Sequence, residues 1–171
     1  MTWTKPSALL MLSLLLLQGC GIYSFSGTSL PSKAKNFSLK VQSNVALGPP
    51  DLAEKFQQRL GDELVQRTPL KRIYTKGYLQ LEGVIKQFRY VSIASAKKDE
   101  GGQTFTDQLT IEVQMNYINP YNEEASFSKK IFSQHANASA NANGGDEEPR
   151  LIEEIFTKLV KDIFNETVAS W

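Results

Sequence analysis

From Phe37 onward, apolar residues take the odd positions. Phe37, Leu39, Val41, Val45 and Leu47 alternate with Ser38, Lys40, Gln42 and Asn44. A period of two means one buried face and predicts a strand, which Gly48-Pro49-Pro50 ends. The period then changes. Leu52, Phe56, Leu60 and Leu64 recur at steps of four, the stripe of an amphipathic helix that Pro69 closes. Asp51, three residues ahead of Glu54, is expected to cap this helix by accepting an amide of its first turn. Alternation returns over 77–93, with Leu79, Leu81 and Ile85 on one side and the parity shifted at Phe88 and Tyr90. Such a shift predicts a bulge near Lys86-Gln87. A polar hairpin over 97–102 leads into the most regular strand, where Phe105, Leu109, Ile111, Val113, Met115 and Tyr117 alternate with polar residues. Asn119-Pro120-Tyr121-Asn122 turns it, and a strand over 126–135 follows with Phe127, Ile131 and Phe132. Residues 136–149 are small, polar and repetitive, and are read as a flexible loop. The doublets Leu151-Ile152, Ile155-Phe156, Leu159-Val160 and Ile163-Phe164 then give a helix with a broad apolar stripe.

The order is strand, helix, three strands, helix. Short polar turns between strands favour antiparallel pairing, and the helices must bury their stripes on the apolar sheet face. The expected fold class is therefore α+β: a two-layer sandwich of two helices on one face of a four-stranded, mostly antiparallel sheet. One domain over 37–171 accommodates it. Gln108, Thr110, Glu112, Gln114 and Asn116 would lie on the opposite, polar face.

Residues 1–19 follow a different pattern. Lys5 is the only charged side chain ahead of an apolar run at 8–17, which is too short to span a bilayer and reads as an export signal. Gly19 precedes Cys20, the only cysteine. Leu17-Gln18-Gly19-Cys20 resembles a bacterial lipobox, in which the thiol receives a lipid and the chain is cut before the cysteine. An ordinary secretory signal or an uncleaved anchor is the plainer reading. On the lipobox reading, 1–19 is a lipoprotein signal peptide, 20–36 a lipidated tether, and Cys20 an anchor. Several acyl chains at about 0.8 kcal/mol per buried methylene make such an anchor nearly permanent. The following residues, Gly21-Ile22-Tyr23-Ser24-Phe25, lack the aspartate that resembles an inner-membrane retention signal. The outer membrane, on its periplasmic side, is therefore the expected location.

Composition adds mainly exclusions. Hydrophobic residues make up 41% and charged residues 22%, which disfavours disorder of the whole chain. Without 1–19 the chain carries 18 basic and 18 acidic side chains, so it has no overall footprint for nucleic acid or for an anionic membrane as a bulk surface. One cysteine permits no internal disulfide. No metal-ligand spacing, nucleophile elbow or phosphate-binding Gly-rich loop is present. The single histidine, His135, is read as solvated or structural, and Asp146-Glu147-Glu148 as favouring the start of the last helix. Neither an enzymatic activity nor a cofactor is expected, apart from the covalent lipid on Cys20.

The segments CGIYSFSGTSLP, GYLQLEGVIKQFRY, LTIEVQMNYINP and LIEEIFTKLVKDIFNETVASW together resemble the LptE family of lipopolysaccharide-assembly lipoproteins, in its Bacteroidota form. The resemblance covers nearly the whole chain after Cys20 and is carried by pattern and order. It implies a non-catalytic subunit of the outer-membrane translocon, a plug and assembly factor for the β-barrel LptD, with lipopolysaccharide as a second partner. By position, Lys97 and Lys98 at the hairpin tip are the candidate lipopolysaccharide contacts. A stand-alone periplasmic scaffold or activator lipoprotein for a cell-envelope enzyme is the alternative.

Overall fold

The alternating and four-step patterns converge on one core. In a computed structural model, which describes Leu30 and residues 33–96, 103–139 and 144–169, every odd residue from Leu109 to Tyr117 is fully buried. The helix stripes meet them: Leu52, Phe56, Leu60 and Leu64 from one helix, and all eight members of the C-terminal doublets from the other. Burying each of these large side chains is worth about 1.5–3 kcal/mol. They form one continuous cluster, the core of a two-layer α+β domain.

The elements are β1 (Asn36–Ser43), α1 (Leu52–Arg67), β2 (Lys71–Arg72), β3 (Leu79–Ala96), β4 (Gln103–Ile118), β5 (Phe127–Asn137) and α2 (Gly144–Thr167). A single turn of 3-10 helix, Glu123–Ala125, lies between β4 and β5. The sheet order is β2-β1-β3-β4-β5. It has five strands where four were expected, and it is mixed. β1 runs parallel to both β2 and β3, with Leu39 opposite Leu81 and Val41 opposite Gly83, while β3-β4 and β4-β5 are antiparallel. The reason is the intervening helix. α1 carries the chain back along the sheet, so the next strand starts from the same end as β1, the geometry of a βαβ crossover. β2 has two residues, too few to show a period.

Local differences from the sequence reading also have causes. β1 ends at Ser43, so Val45 is half-buried beyond it, and Leu47 is 70% exposed. Gly48 follows at φ +101°, a conformation that costs glycine nothing, and turns the chain against the Phe88 ring. Asp51 does stand at the start of α1 but caps nothing with its side chain. Its carbonyl accepts from the Lys55 amide at 2.9 Å, and its carboxylate pairs with the Lys55 ammonium at 2.9 Å. α1 stops at Arg67, where the buried Thr68 hydroxyl donates to the Leu64 carbonyl and accepts from the Leu70 amide at 3.2 Å.

The expected bulge is present: the β3-β4 register shifts between Ile85 and Gln87. Beyond it the long β3-β4 hairpin outruns the helices, which is why Phe105, on the core side, is 66% exposed. The span read as a loop, 136–149, is partly ordered. β5 continues to Asn137 with Ala136 buried, and α2 already begins at Gly144. Asp146-Glu147-Glu148 therefore lies inside the first turns of α2, ahead of Pro149.

Candidate functional site

Alternation along four strands builds one open sheet face. β4 presents Gln108, Thr110, Glu112, Gln114 and Asn116, all half-buried between neighbouring strands. β1 adds Ser38, Lys40 and Gln42, β3 adds Gln80, Glu82 and Val84, and β5 adds Ile131, Ser133, His135 and Asn137. The face is held by polar cross-strand contacts. Gln108 Nε2 donates to Asn137 Oδ1 at 2.9 Å, and Asn116 Oδ1 accepts from the Lys129 amide at 2.8 Å. A shallow depression of about 140 Å³ lies among Lys40, Gln42, Glu82, Val84, Gln114 and Asn116. The polar face that the β4 alternation implied is present, and it is gently hollowed.

The sheet edges are protected by helix side chains. At the β5 edge, Lys158 Nζ donates to the His135 carbonyl at 3.0 Å, and Arg150 donates to the Asn137 carbonyl at 3.3 Å. Across the sheet, the Val41 amide donates to Gln57 Oε1 at 2.8 Å. Edge groups satisfied in this way are poor templates for strand addition, so contact with a partner is left to side chains.

At one end of the sheet, the hairpin is tied to the start of α2. Tyr90 donates to Glu148 Oε2 at 3.0 Å, and its phenol is pushed up to about 12 by burial first and then by this carboxylate. Glu147 accepts from the Ser139 hydroxyl at 2.6 Å, from the Ser139 amide at 2.7 Å, and from Arg150 at 3.1 Å. These donors, led by Ser139, hold the Glu147 carboxyl at about 2 against an ordinary 4.5. A depressed carboxyl contributes stability that is complete above its unfolded value and lost as pH falls through its folded value. Glu147→Gln is accordingly expected to melt below the parent at neutral pH, with the difference shrinking as pH falls from about 4.5 toward 2. Thermal melts of both proteins across that range check it. A constant difference would contradict the assignment.

The candidate residues from the sequence fare unequally. His135 lies on the open face opposite Thr110 and is exposed. Among the described residues, no three His, Cys, Asp or Glu side chains are grouped to hold a metal ion, and no helix is long and apolar enough to cross a membrane. Cys20, Lys97 and Lys98 lie outside the described residues, as do Tyr23, Phe25 and Trp171. Sequence reasoning passed over a group of tyrosines: Tyr74 and Tyr78, just ahead of β3, and Tyr121, whose ring centroid lies 5.8 Å from that of Tyr78. The signal was available in Tyr74-Thr75-Lys76-Gly77-Tyr78, a short segment rich in aromatic and basic residues but without a period.

A family model described as "LptE: Lipopolysaccharide-assembly" matches residues 34–167. The chain belongs to the LptE family. The match takes in every described element from β1 to α2 of this LptE domain. Lipopolysaccharide assembly is the process to which that membership ties it. Comparison with individually curated proteins gives no match. Among solved structures, a homologue of a neuraminyllactose-binding hemagglutinin from Helicobacter pylori aligns at 12% identity and TM-score 0.50, covering 80% of this chain and 87% of that one. A hypothetical protein from Chlamydia trachomatis aligns at 10% identity and TM-score 0.50, covering 78% of this chain and 98% of that one. At such identities the likeness speaks to the fold alone: the LptE domain shares its architecture with other bacterial proteins.

Proposed function

We propose that the protein is the lipid-anchored LptE subunit of an outer-membrane lipopolysaccharide translocon, acting as plug and assembly factor for an LptD-type β-barrel. The observation that carries this reading is the LptE family match over residues 34–167. The structure supplies a surface suited to the role. The open face is polar, has no helix over it among the described residues, and is rigidly backed by the core. A water-filled barrel lumen lined by polar side chains accepts such a face, whereas an apolar face would be stranded there. Recognition is assigned to the side chains of β1, β3, β4 and β5 on that face.

In this reading Cys20 carries the lipid that holds the protein on the periplasmic side of the outer membrane, and the tether keeps it beside its barrel at high effective concentration. Lipopolysaccharide is the cargo. The hairpin-tip lysines Lys97 and Lys98 are assigned to it, since an ammonium group meets a phosphate as a point charge. No catalytic group or cofactor is invoked. Depletion of the protein in its own host tests the proposal: lipopolysaccharide should disappear from the cell surface and return when the intact gene is supplied. Undiminished surface lipopolysaccharide after depletion would instead favour a separate scaffold or activator role.

A further inference from the structure

The end of the sheet where the tether joins the domain has a surface of its own. Two segments meet there, 33–36 leading into β1 and 71–78 around β2, with the Lys71 amide donating to the Lys35 carbonyl at 3.0 Å and the Tyr78 amide donating to Asn36 Oδ1 at 2.9 Å. Gly77 allows the close approach: a Cβ there would fall 2.5 Å from the Ser38 nitrogen. These segments carry Lys33, Lys35, Lys71, Arg72 and Lys76 and no acidic residue, in a chain whose total charge is close to zero. All but Arg72 are exposed. Among them stand Tyr74, 94% exposed, Tyr78 at 48%, Tyr121 at 36% and Ile118 at 50%. The Arg72 guanidinium lies 5.8 Å from the Tyr74 ring centroid, and the Tyr121 hydroxyl donates to the Lys33 carbonyl at 3.5 Å. Glu123 and Glu124, exposed on the neighbouring turn, are the acidic groups at this end nearest Tyr121 in sequence. At the opposite end, where the hairpin meets α2, basic and acidic groups are mixed: Asp107, Glu147 and Glu148 share it with Arg150.

We infer that the Tyr74-Tyr78-Tyr121 end, with its ring of Lys33, Lys35, Lys71, Arg72 and Lys76, is a docking face for an anionic phospholipid bilayer surface. Tyrosines combine an apolar ring with a polar tip and concentrate at headgroup depth, while lysines near a negatively charged leaflet add attraction that salt screens. The chain's own course points to the same occupant. Leu30 already packs against the core, so about ten residues separate the domain from Cys20, a span of at most about 35 Å when extended. This end is therefore the one held near the membrane. The inference rests on the reading of Cys20 as the anchor, and its test removes the lipid so that the two can fail separately.

The chain from residue 20 onward, carrying Cys20→Ser, should be sedimented with vesicles of phosphatidylethanolamine plus phosphatidylglycerol, and with vesicles of phosphatidylcholine alone. Binding is expected to the anionic vesicles, about tenfold above the neutral ones, and to be reversed by salt. Lys71→Glu with Lys76→Glu should abolish that preference, and Tyr74→Ser should weaken binding several-fold. All three positions are exposed, so circular dichroism should report an unchanged fold. Lys161→Glu, on the solvent side of α2, makes a net-charge change of the same sign and should leave binding intact. Equal binding to both vesicle types, no binding, or an equal loss with Lys161→Glu would overturn the inference.

Discussion

Phe156→Ala is expected to lower the stability of the domain by about 3–5 kcal/mol. Phe156 of α2 meets Phe56 of α1 edge to face, with ring centroids 5.0 Å apart and planes at 61°, and neither side chain is exposed. The pair joins the two helices above the sheet, as does the Arg67 guanidinium over the Phe164 ring at 4.4 Å, so removing one ring opens a cavity against two helices at once. The other ring also loses its edge-to-face partner, worth about 0.5–1.5 kcal/mol beyond the area buried. A domain of this size has only about 5–15 kcal/mol in hand. The variant should therefore unfold at much lower denaturant concentration, and its melting temperature should fall steeply. Phe156→Leu, which keeps most of the volume, should cost less. Equilibrium unfolding in urea measures both, and a loss below about 1 kcal/mol for the alanine variant would show that the helices do not depend on this contact.

Cys20→Ser is expected to abolish lipid attachment to the protein in its host. The reasoning is additive. One acyl chain gives marginal, reversible attachment, and several chains on one cysteine give an anchor that salt or alkali does not remove. Without them, the barrel contact and the basic, tyrosine-bearing end still hold the protein at the membrane, so the lipid itself is the readout. Metabolic labelling with a fatty acid should mark the parent and not the variant. Label incorporated into the Cys20→Ser protein, or an unlabelled parent, would contradict the assignment of Cys20.

Much of the fold was legible because its elements are long and one-sided. The buried odd residues of β4 and the doublets of α2 repeat often enough to reveal both period and face, and the parity shift at Lys86-Gln87 located the bulge. What escaped was set by tertiary context. The two residues of β2 have no period, and they pair because Lys71 is carried against Lys35. The parallel course of β1 depends on where α1 delivers the chain, which alternation does not record. Asp51 has the residue type of a cap, but its carboxylate found the Lys55 ammonium instead. Phe105 and Leu47 follow the strand pattern beyond the reach of the helices and so remain exposed. The helix start at Gly144 was hidden by a composition of Ala, Asn and Gly that reads as loop.

The candidate surface divides in the same way. The polar open face followed directly from β4 alternation, and its β1 and β5 borders came only with the sheet order. The tyrosine-lysine end joins segments about forty residues apart, 33–36 and 71–78, which only the fold brings together.

The most direct test of the account is co-purification. The tagged full-length protein, extracted in detergent from the outer membrane of its host, should bring with it a large β-barrel protein in stoichiometric amount, identified by mass spectrometry. That result would make the plug-and-barrel arrangement the protein's working state. Recovery of the protein alone, or with a cell-wall synthase in place of a barrel, would contradict it.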